Sequence, residues 1–189
     1  MKTCSNLLIL LVLTAGLFAC GRASQINIPK PTVQQVPGAS ALVEQIPMAD
    51  RSTFQGATFE YMSDNLSNVF HKVPIGDYLL ANFLAALPDG ASVDSMQLQK
   101  FSGKCIASGL MQPKAMCDVA AVVLVKTGEA SNIVSLRISE SPGPWISSFG
   151  SNYAKMTTAG EGEKVVTQIK LLLRSAAKTF AKELQARTS

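Results

Sequence analysis

The sequence predicts an α+β domain, in which a small antiparallel or mixed sheet is covered on one face by two helices. Three observations predict this class. Apolar residues recur at helical spacing over residues 76–87. Three strand-like segments then follow one another between residues 92 and 139. Residues 161–187 form one long amphipathic pattern, which predicts a final helix.

Composition indicates one globular domain in the 189 residues. With 47% hydrophobic and 16% charged residues, the chain is too apolar for intrinsic disorder. The 13 Gly and 9 Pro are scattered, which excludes a collagen-like repeat. The formal net charge of +4 is too small to indicate nucleic-acid binding, so we expect no nucleic-acid partner.

The first 19 residues have the layout of a secretory signal peptide. Lys2 supplies a positive start, residues 7–13 are almost continuously apolar, and Ala19 is a small residue at the predicted cleavage site. The apolar run is too short for a membrane-spanning helix, which needs about 20 residues. We therefore predict a signal peptide over residues 1–19.

Residues 17–20, Leu-Phe-Ala-Cys, resemble the bacterial lipobox. The resemblance implies that Cys20 is acylated and becomes the first of 170 mature residues. In that family Gly21, where an Asp would retain the protein in the inner membrane, implies an outer-membrane lipoprotein facing the periplasm. The alternative is an ordinary signal peptide cut after Ala19. Because a multiply acylated cysteine anchors stably, the first expected partner is the membrane.

The segment after the predicted cleavage site differs in composition from the rest of the chain. Residues 21–40 contain several Pro, Gln and Ser residues and no sustained apolar period. Such a composition is typical of a flexible tether. We therefore assign residues 20–40 to the acylated cysteine and its tether, and residues 41–189 to a single periplasmic domain.

The first half of the predicted domain contains two candidate strands and one helix. Residues 41–49 and 57–62 are candidate strands. Residues 63–72 are ambiguous, because their apolar residues fit one helical turn. Residues 76–87 are predicted to be a helix, with Asp77 in the first turn, where a negative charge suits the helix dipole.

Three further strands are predicted over residues 92–101, 116–126 and 132–139. The second contains a continuous apolar run, which is typical of a central strand covered on both faces. The third alternates apolar and polar residues, so one of its faces is predicted to be solvated. Residues 127–131 form a hairpin loop. Because sequential strands usually pair, we expect a meander with both helices on one face.

The cysteine content agrees with an oxidising compartment. One of the four cysteines leaves with the signal peptide and Cys20 is consumed by lipid, which leaves Cys105 and Cys117. An even pair in the periplasm predicts a disulfide, here across the hairpin loop 109–114. A free thiol pair or a metal site is the alternative. A metal site needs about four ligands, and the sole histidine, His71, is distant in sequence.

The order of these elements resembles a group of small envelope lipoproteins. A lipobox, a short linker, a helix, three strands and a long final helix are similar to the layout of YajG-like lipoproteins and of the auxiliary lipoproteins of ABC-type lipid transporters. The resemblance covers most of the mature chain as an order of elements. It implies a small α+β lipoprotein of the cell envelope.

The residues give no catalytic constellation, so we predict neither an enzyme nor a cofactor or metal. The sequence has no Gly-x-Ser-x-Gly elbow, and its carboxylates are spread singly. His71, beside Lys72 in a polar stretch, is predicted to be exposed, and a hydrolase that uses it is an alternative. The single tryptophan, Trp145, is predicted to plug the sheet edge, with a contact to a partner protein as the alternative.

The final helix carries the clearest functional pattern. At 100° per residue its apolar residues share one face, and its lysines and one arginine share the opposite face. From residue 164 onward there are six basic residues and one acidic residue. The residues that we predict to contact a partner or anionic lipid are Lys164, Lys170, Leu171, Arg174, Lys178 and Lys182. Leu171 is included because it lies among these basic residues, on the side of the helix that is not expected to face the core.

These features together predict an outer-membrane lipoprotein that acts as a non-enzymatic accessory or binding module in envelope assembly or lipid trafficking. The expected partners of the basic helix are envelope proteins, anionic lipid or lipopolysaccharide. The alternative function is that of a carrier, which would hold a hydrophobic ligand between the sheet and the helices.

Overall fold

The computed structural model describes residues 28–62, 70–88, 91–108, 114–140 and 159–188. Within them the chain forms a short 3₁₀ helix (Val33–Gln35), four α-helices and five strands. The helices are α1 (Ala39–Gln45), α2 (Met48–Phe54), α3 (Gly76–Ala85) and α4 (Ala159–Thr188). The strands are β1 (Thr58–Met62), β2 (Phe70–Pro74), β3 (Ser95–Ser108), β4 (Lys114–Thr127) and β5 (Ala130–Glu140). The predicted signal peptide, Cys20 and Trp145 lie outside the described residues.

The five strands form one mixed sheet in the order β2-β1-β3-β4-β5. Strands β3, β4 and β5 form the expected antiparallel meander, whereas β1 pairs with β3 in parallel. The chain reaches β3 from β1 through β2 and α3, as a parallel pair requires a crossover connection. Residues 70–72, which the sequence leaves ambiguous, belong to β2. The predicted α+β class, with a mixed sheet and a long C-terminal helix, is confirmed.

The helices cover one face of the sheet, which we call the inner face. Alternate residues of β4, from Val119 to Val125, are buried on this face. Helix α4 packs against β5, β4 and α3. The intervening residues of β4, such as Val122 and Leu124, point to the outer face and are half-buried. The continuous apolar run therefore marks a central strand, as predicted, but its two faces differ in burial.

The prediction of a strand over residues 41–49 is wrong. These residues lie in α1 and at the start of α2, separated by Pro47. The buried residues of the first helix region are Ala39, Val43 and Ile46, which are spaced by four and three. That spacing places them on one face of a helix, whereas a strand would require a period of two.

Part of the predicted tether also belongs to the fold. Pro31, Val36 and Ala39 are buried, and Ile28 packs against the core cluster. The 3₁₀ helix packs against α1 and α3. The packed chain thus begins at or before residue 28 rather than at residue 41.

Helix α2 packs against the N-terminal part of β3, which has no strand partner in β1. The amide of Leu98 donates a hydrogen bond to Thr53 Oγ1 at 2.9 Å. Gln97 Nε2 donates to Oδ1 of Asp50 at 2.7 Å, and Asp50 is itself buried. These contacts satisfy polar groups at a strand edge that would otherwise be open.

The disulfide between Cys105 and Cys117 is present in the structure. The two residues are direct partners in the β3–β4 ladder, both are fully buried, and their Cα atoms lie 4.1 Å apart. The bond therefore crosslinks the two strands of the β3–β4 hairpin, as predicted. By restricting the unfolded chain, a loop of this size contributes about 2–3 kcal/mol in the chain-entropy model.

The second hairpin turns at Gly128, as the predicted loop over residues 127–131 requires. Gly128 has a φ of 58°, a left-handed conformation that glycine adopts without steric cost. Its amide donates to Oδ2 of Asp94 at 2.6 Å, which ties the turn to the chain before β3. Thr127 and Ala130 pair directly, so the register of β4 and β5 is set by this turn.

Candidate functional site

Helix α4 is held on the sheet by its apolar face. Buried residues recur from Val165 to Leu184 at helical spacing, and Ile169, Leu173 and Phe180 are fully buried. Ala176 and Ala177 are also buried, and such small side chains let a helix approach its neighbours closely. Ser175 Oγ donates a hydrogen bond to Oε1 of Glu140 at the end of β5. The rotation of the helix about its axis is therefore determined by the core.

That rotation places the predicted cations on the opposite side of α4. Arg174, Lys178 and Lys182 are exposed, and Lys170 is half-buried. Together with Leu171 these residues form what we call the basic face. Steps of four residues put the four cations in a row about 18 Å long, at 1.5 Å per residue. The side chain of Lys164, the sixth predicted contact, lies outside the described residues.

Leu171 is the one large apolar side chain that α4 exposes among the described residues. It is 50% exposed and lies between Lys170 and Arg174 on the basic face. A leucine in this position leaves half of its surface in water. It can gain free energy by entering an apolar environment next to the groups that the cations bind.

The cations of the basic face are available for an external anion. In the sheet, Lys72 Nζ lies 3.7 Å from Oε1 of Glu60. Within the described part of the chain no carboxylate lies within ion-pair distance of the four cations of α4. Glu183, the only acidic residue from position 164 onward, is half-buried. The potential at this face is therefore positive.

His71 lies on β2, away from the basic face. It is half-buried, so the prediction of an exposed histidine is wrong, and its ring centroid lies 6.3 Å from that of Tyr61. Cross-strand pairing explains the burial, because His71 and Tyr61 are direct partners and Tyr61 belongs to the core. No hydrogen bond joins His71 to another described side chain.

One groove of the described residues lies beside α1. At the inner face the rings of Phe83 and Phe180 stack at 4.6 Å, and both side chains are fully buried. A groove of about 250 Å³ lies between α1 and the residues after α3. Its lining is uncharged and includes Leu42, Leu84 and Val93.

The outer face of the sheet is a feature that the sequence reasoning missed. Met116 and Ile133 expose 50% and 57% of their surface there. The strand alternation could have indicated Ile133, which stands among the polar residues of β5. Met116 begins the predicted central strand and gave no such signal. In the described residues nothing covers either side chain.

No described helix combines the length and the hydropathy needed to cross a membrane. Within the same residues, no group of three or more His, Cys, Asp and Glu side chains is close enough to hold a metal ion.

The structure brings some of the predicted site residues together and leaves others outside the described chain. It joins Cys105 to Cys117, and it places Lys170, Leu171, Arg174, Lys178 and Lys182 on one face. Cys20 and the alternative contact Trp145 are not described. No protein-family model matches the chain, and no curated protein matches it either.

Proposed function

We propose that the protein is an outer-membrane lipoprotein, anchored through an acylated Cys20, whose basic face binds anionic lipid headgroups on the periplasmic side. It acts as a non-enzymatic accessory module in envelope assembly or lipid trafficking. The observation that carries the proposal is the basic face, a row of four cations that encloses the exposed Leu171. Phosphate groups suit the cations, and the adjoining acyl region suits the leucine.

The magnitude of the interaction indicates its role. Each Lys or Arg close to an anionic membrane contributes about 1 kcal/mol, so four contribute about 4 kcal/mol. Leu171, already half-buried, adds about 1 kcal/mol of the 1.5–3 kcal/mol that a fully buried leucine supplies. A total of about 5 kcal/mol corresponds to a sub-millimolar affinity. The basic face therefore orients a protein that is held by its lipid, and it does not replace the anchor.

Neutralising the basic face should weaken vesicle binding about 100-fold. The variant Lys170→Gln/Arg174→Gln/Lys178→Gln, made in an acyl-free Cys20→Ala protein, loses three contributions of about 1 kcal/mol each. Binding is measured by sedimentation with vesicles that contain anionic phospholipid, at low ionic strength, because salt screens the attraction.

The matched control removes the same charges from the outer face of the sheet. Lys100, Lys126 and Arg137 are exposed there, so replacing all three by Gln changes the net charge by the same amount. This variant should bind the vesicles within a few-fold of the parent protein. Equal losses in both variants would show that net charge, and not the basic face, determines binding.

The anchor has a test of its own. Cells that express the protein should incorporate radiolabelled palmitate into it, and Cys20→Ala should abolish the labelling, because the thiol of Cys20 carries the lipid. The control is Cys4→Ala, which removes a cysteine of the predicted signal peptide and should leave the labelling intact. Undiminished labelling of the Cys20→Ala protein would contradict the anchor.

A further inference from the structure

The first packed residues lie close in sequence to the proposed anchor. Ile28 contacts the core cluster and Pro31 is buried, so at most the seven residues 21–27 separate Cys20 from the packed chain. Fully extended, the eight steps from Cys20 to Ile28 span at most about 26 Å. A compact domain of about 150 residues is roughly 38 Å across. The link is therefore shorter than the domain that it holds.

The folded chain begins in the layer that carries the basic face. The 3₁₀ helix and α1 both pack against α3, and α3 packs against α4. These elements belong to the helical side of the sheet, and the cations of α4 point away from the sheet on the same side. A short link that leaves from this layer keeps the layer near the anchor.

The outer face of the sheet carries cations and carboxylates together, and Lys100, Lys126 and Arg137 are exposed among them. Lys72 is paired there with Glu60, and Lys104 stands opposite Asp118 in the ladder. Charges of both signs thus occur on the outer face, whereas no carboxylate of the described residues lies within ion-pair distance of the four cations of α4. Both faces can therefore attract an anionic surface, and the short link that leaves from the helical layer favours the basic face over the sheet.

We infer that the basic face of α4 docks in cis, on the anionic phospholipid surface of the same bilayer that holds the Cys20 lipid. The helical layer then faces the membrane and the outer face of the sheet points away from it. The inference rests on the proposed anchor and on the proposed lipid contact. It adds the geometry, namely that a short link gives the basic face a millimolar effective concentration of its own membrane.

The test compares lysines on the two faces of one molecule. Full-length acylated protein is added to preformed vesicles that contain anionic phospholipid, and a membrane-impermeant amine reagent labels its lysines, which peptide mass spectrometry quantifies. Lys178 and Lys182 should be labelled several-fold more slowly than in acyl-free protein in solution. Lys100 and Lys126, exposed on the outer face, should be labelled at the same rate in both samples.

Lengthening the link provides the decisive variant. Inserting 20 Gly and Ser residues between Asn27 and Ile28 extends the link from 8 to 28 steps, which lowers the effective concentration about six-fold. The protection of Lys178 and Lys182 should fall accordingly, and vesicles of neutral lipid should abolish it. The inserted residues lie outside the packed core, so the unfolding transition provides a check that the domain is intact.

Two outcomes would overturn the inference. One is equal labelling of both faces in anionic vesicles, and the other is protection that persists after the insertion or in neutral vesicles. Failure of the proposed function is distinguishable, because it appears in the acyl-free binding assay or in palmitate labelling. If the acyl-free protein binds through its basic face and the anchored protein still shows no protection, the proposed function stands and the docking in cis is wrong.

Discussion

Phe180→Ala should lower the free energy of unfolding by about 3–5 kcal/mol, the usual cost of truncating a buried phenylalanine. The Phe180 ring is fully buried and stacks on Phe83 of α3 with an interplanar angle of 19°. Its removal leaves a cavity between α3 and α4 and loses an aromatic pair. Urea unfolding followed by circular dichroism measures the change, and the denaturant slope should stay similar.

Leu171→Ala is the matched control, because it shortens an apolar residue of the same helix at a half-exposed position. Its stability should change by no more than about 0.5 kcal/mol, as for other surface substitutions. If the two variants lost equal stability, α4 would not be held by the face that the structure buries. The orientation of the basic face would then lose its support as well, because that orientation depends on the packing of α4.

Gly76→Ala should destabilise the domain by about 3 kcal/mol or more, at or above the upper end of the usual cost of overpacking. A Cβ atom at Gly76 would lie 2.2 Å from the carbonyl oxygen of Phe54 and 2.8 Å from its carbonyl carbon. Both are backbone atoms, so the start of α3 or the end of α2 must move. Thermal unfolding gives the change in stability.

The control for this substitution is Gly56→Ala. A Cβ atom there meets nothing within 4 Å, and the residue does not have a positive φ. Reducing the freedom of the unfolded chain at such a position should stabilise the protein by about 0.4–1 kcal/mol. Similar losses of stability in both glycine variants would show that the close approach of α2 to α3 is not what excludes a side chain at position 76.

Much of the chain after residue 75 could be predicted because its signals are local. The helix predicted over residues 76–87 is observed as Gly76–Ala85, since the Pro88 turn limits it. The strands β3, β4 and β5 are observed at the predicted positions, and β3 is longer because its pairing with β4 continues to Ser108. The disulfide followed from cysteine number and compartment, and the hairpin register brings the two residues together.

The N-terminal errors have a different physical cause. Six of the nine residues 41–49 are apolar without a clear period, and their helical spacing becomes clear only when Ala39, Val43 and Ile46 are known to be the buried ones. Pro31 and Val36 were assigned to the tether because proline and glutamine weaken every periodic signal. Their burial depends on a surface that distant residues build, which no local window contains.

The sequence and the tertiary structure each determine part of the geometry of the basic face. The sequence by itself determined that four cations and Leu171 lie on one side of α4, because the helical period follows from backbone geometry alone. It also determined the types of α3, α4 and the three strands β3, β4 and β5. Only the tertiary structure decided that β1 pairs in parallel with β3, that α4 directs its cations away from the sheet, and that the packed chain begins at or before Ile28. These features depend on contacts between residues far apart in sequence, whose free energy is realised only when the whole core forms.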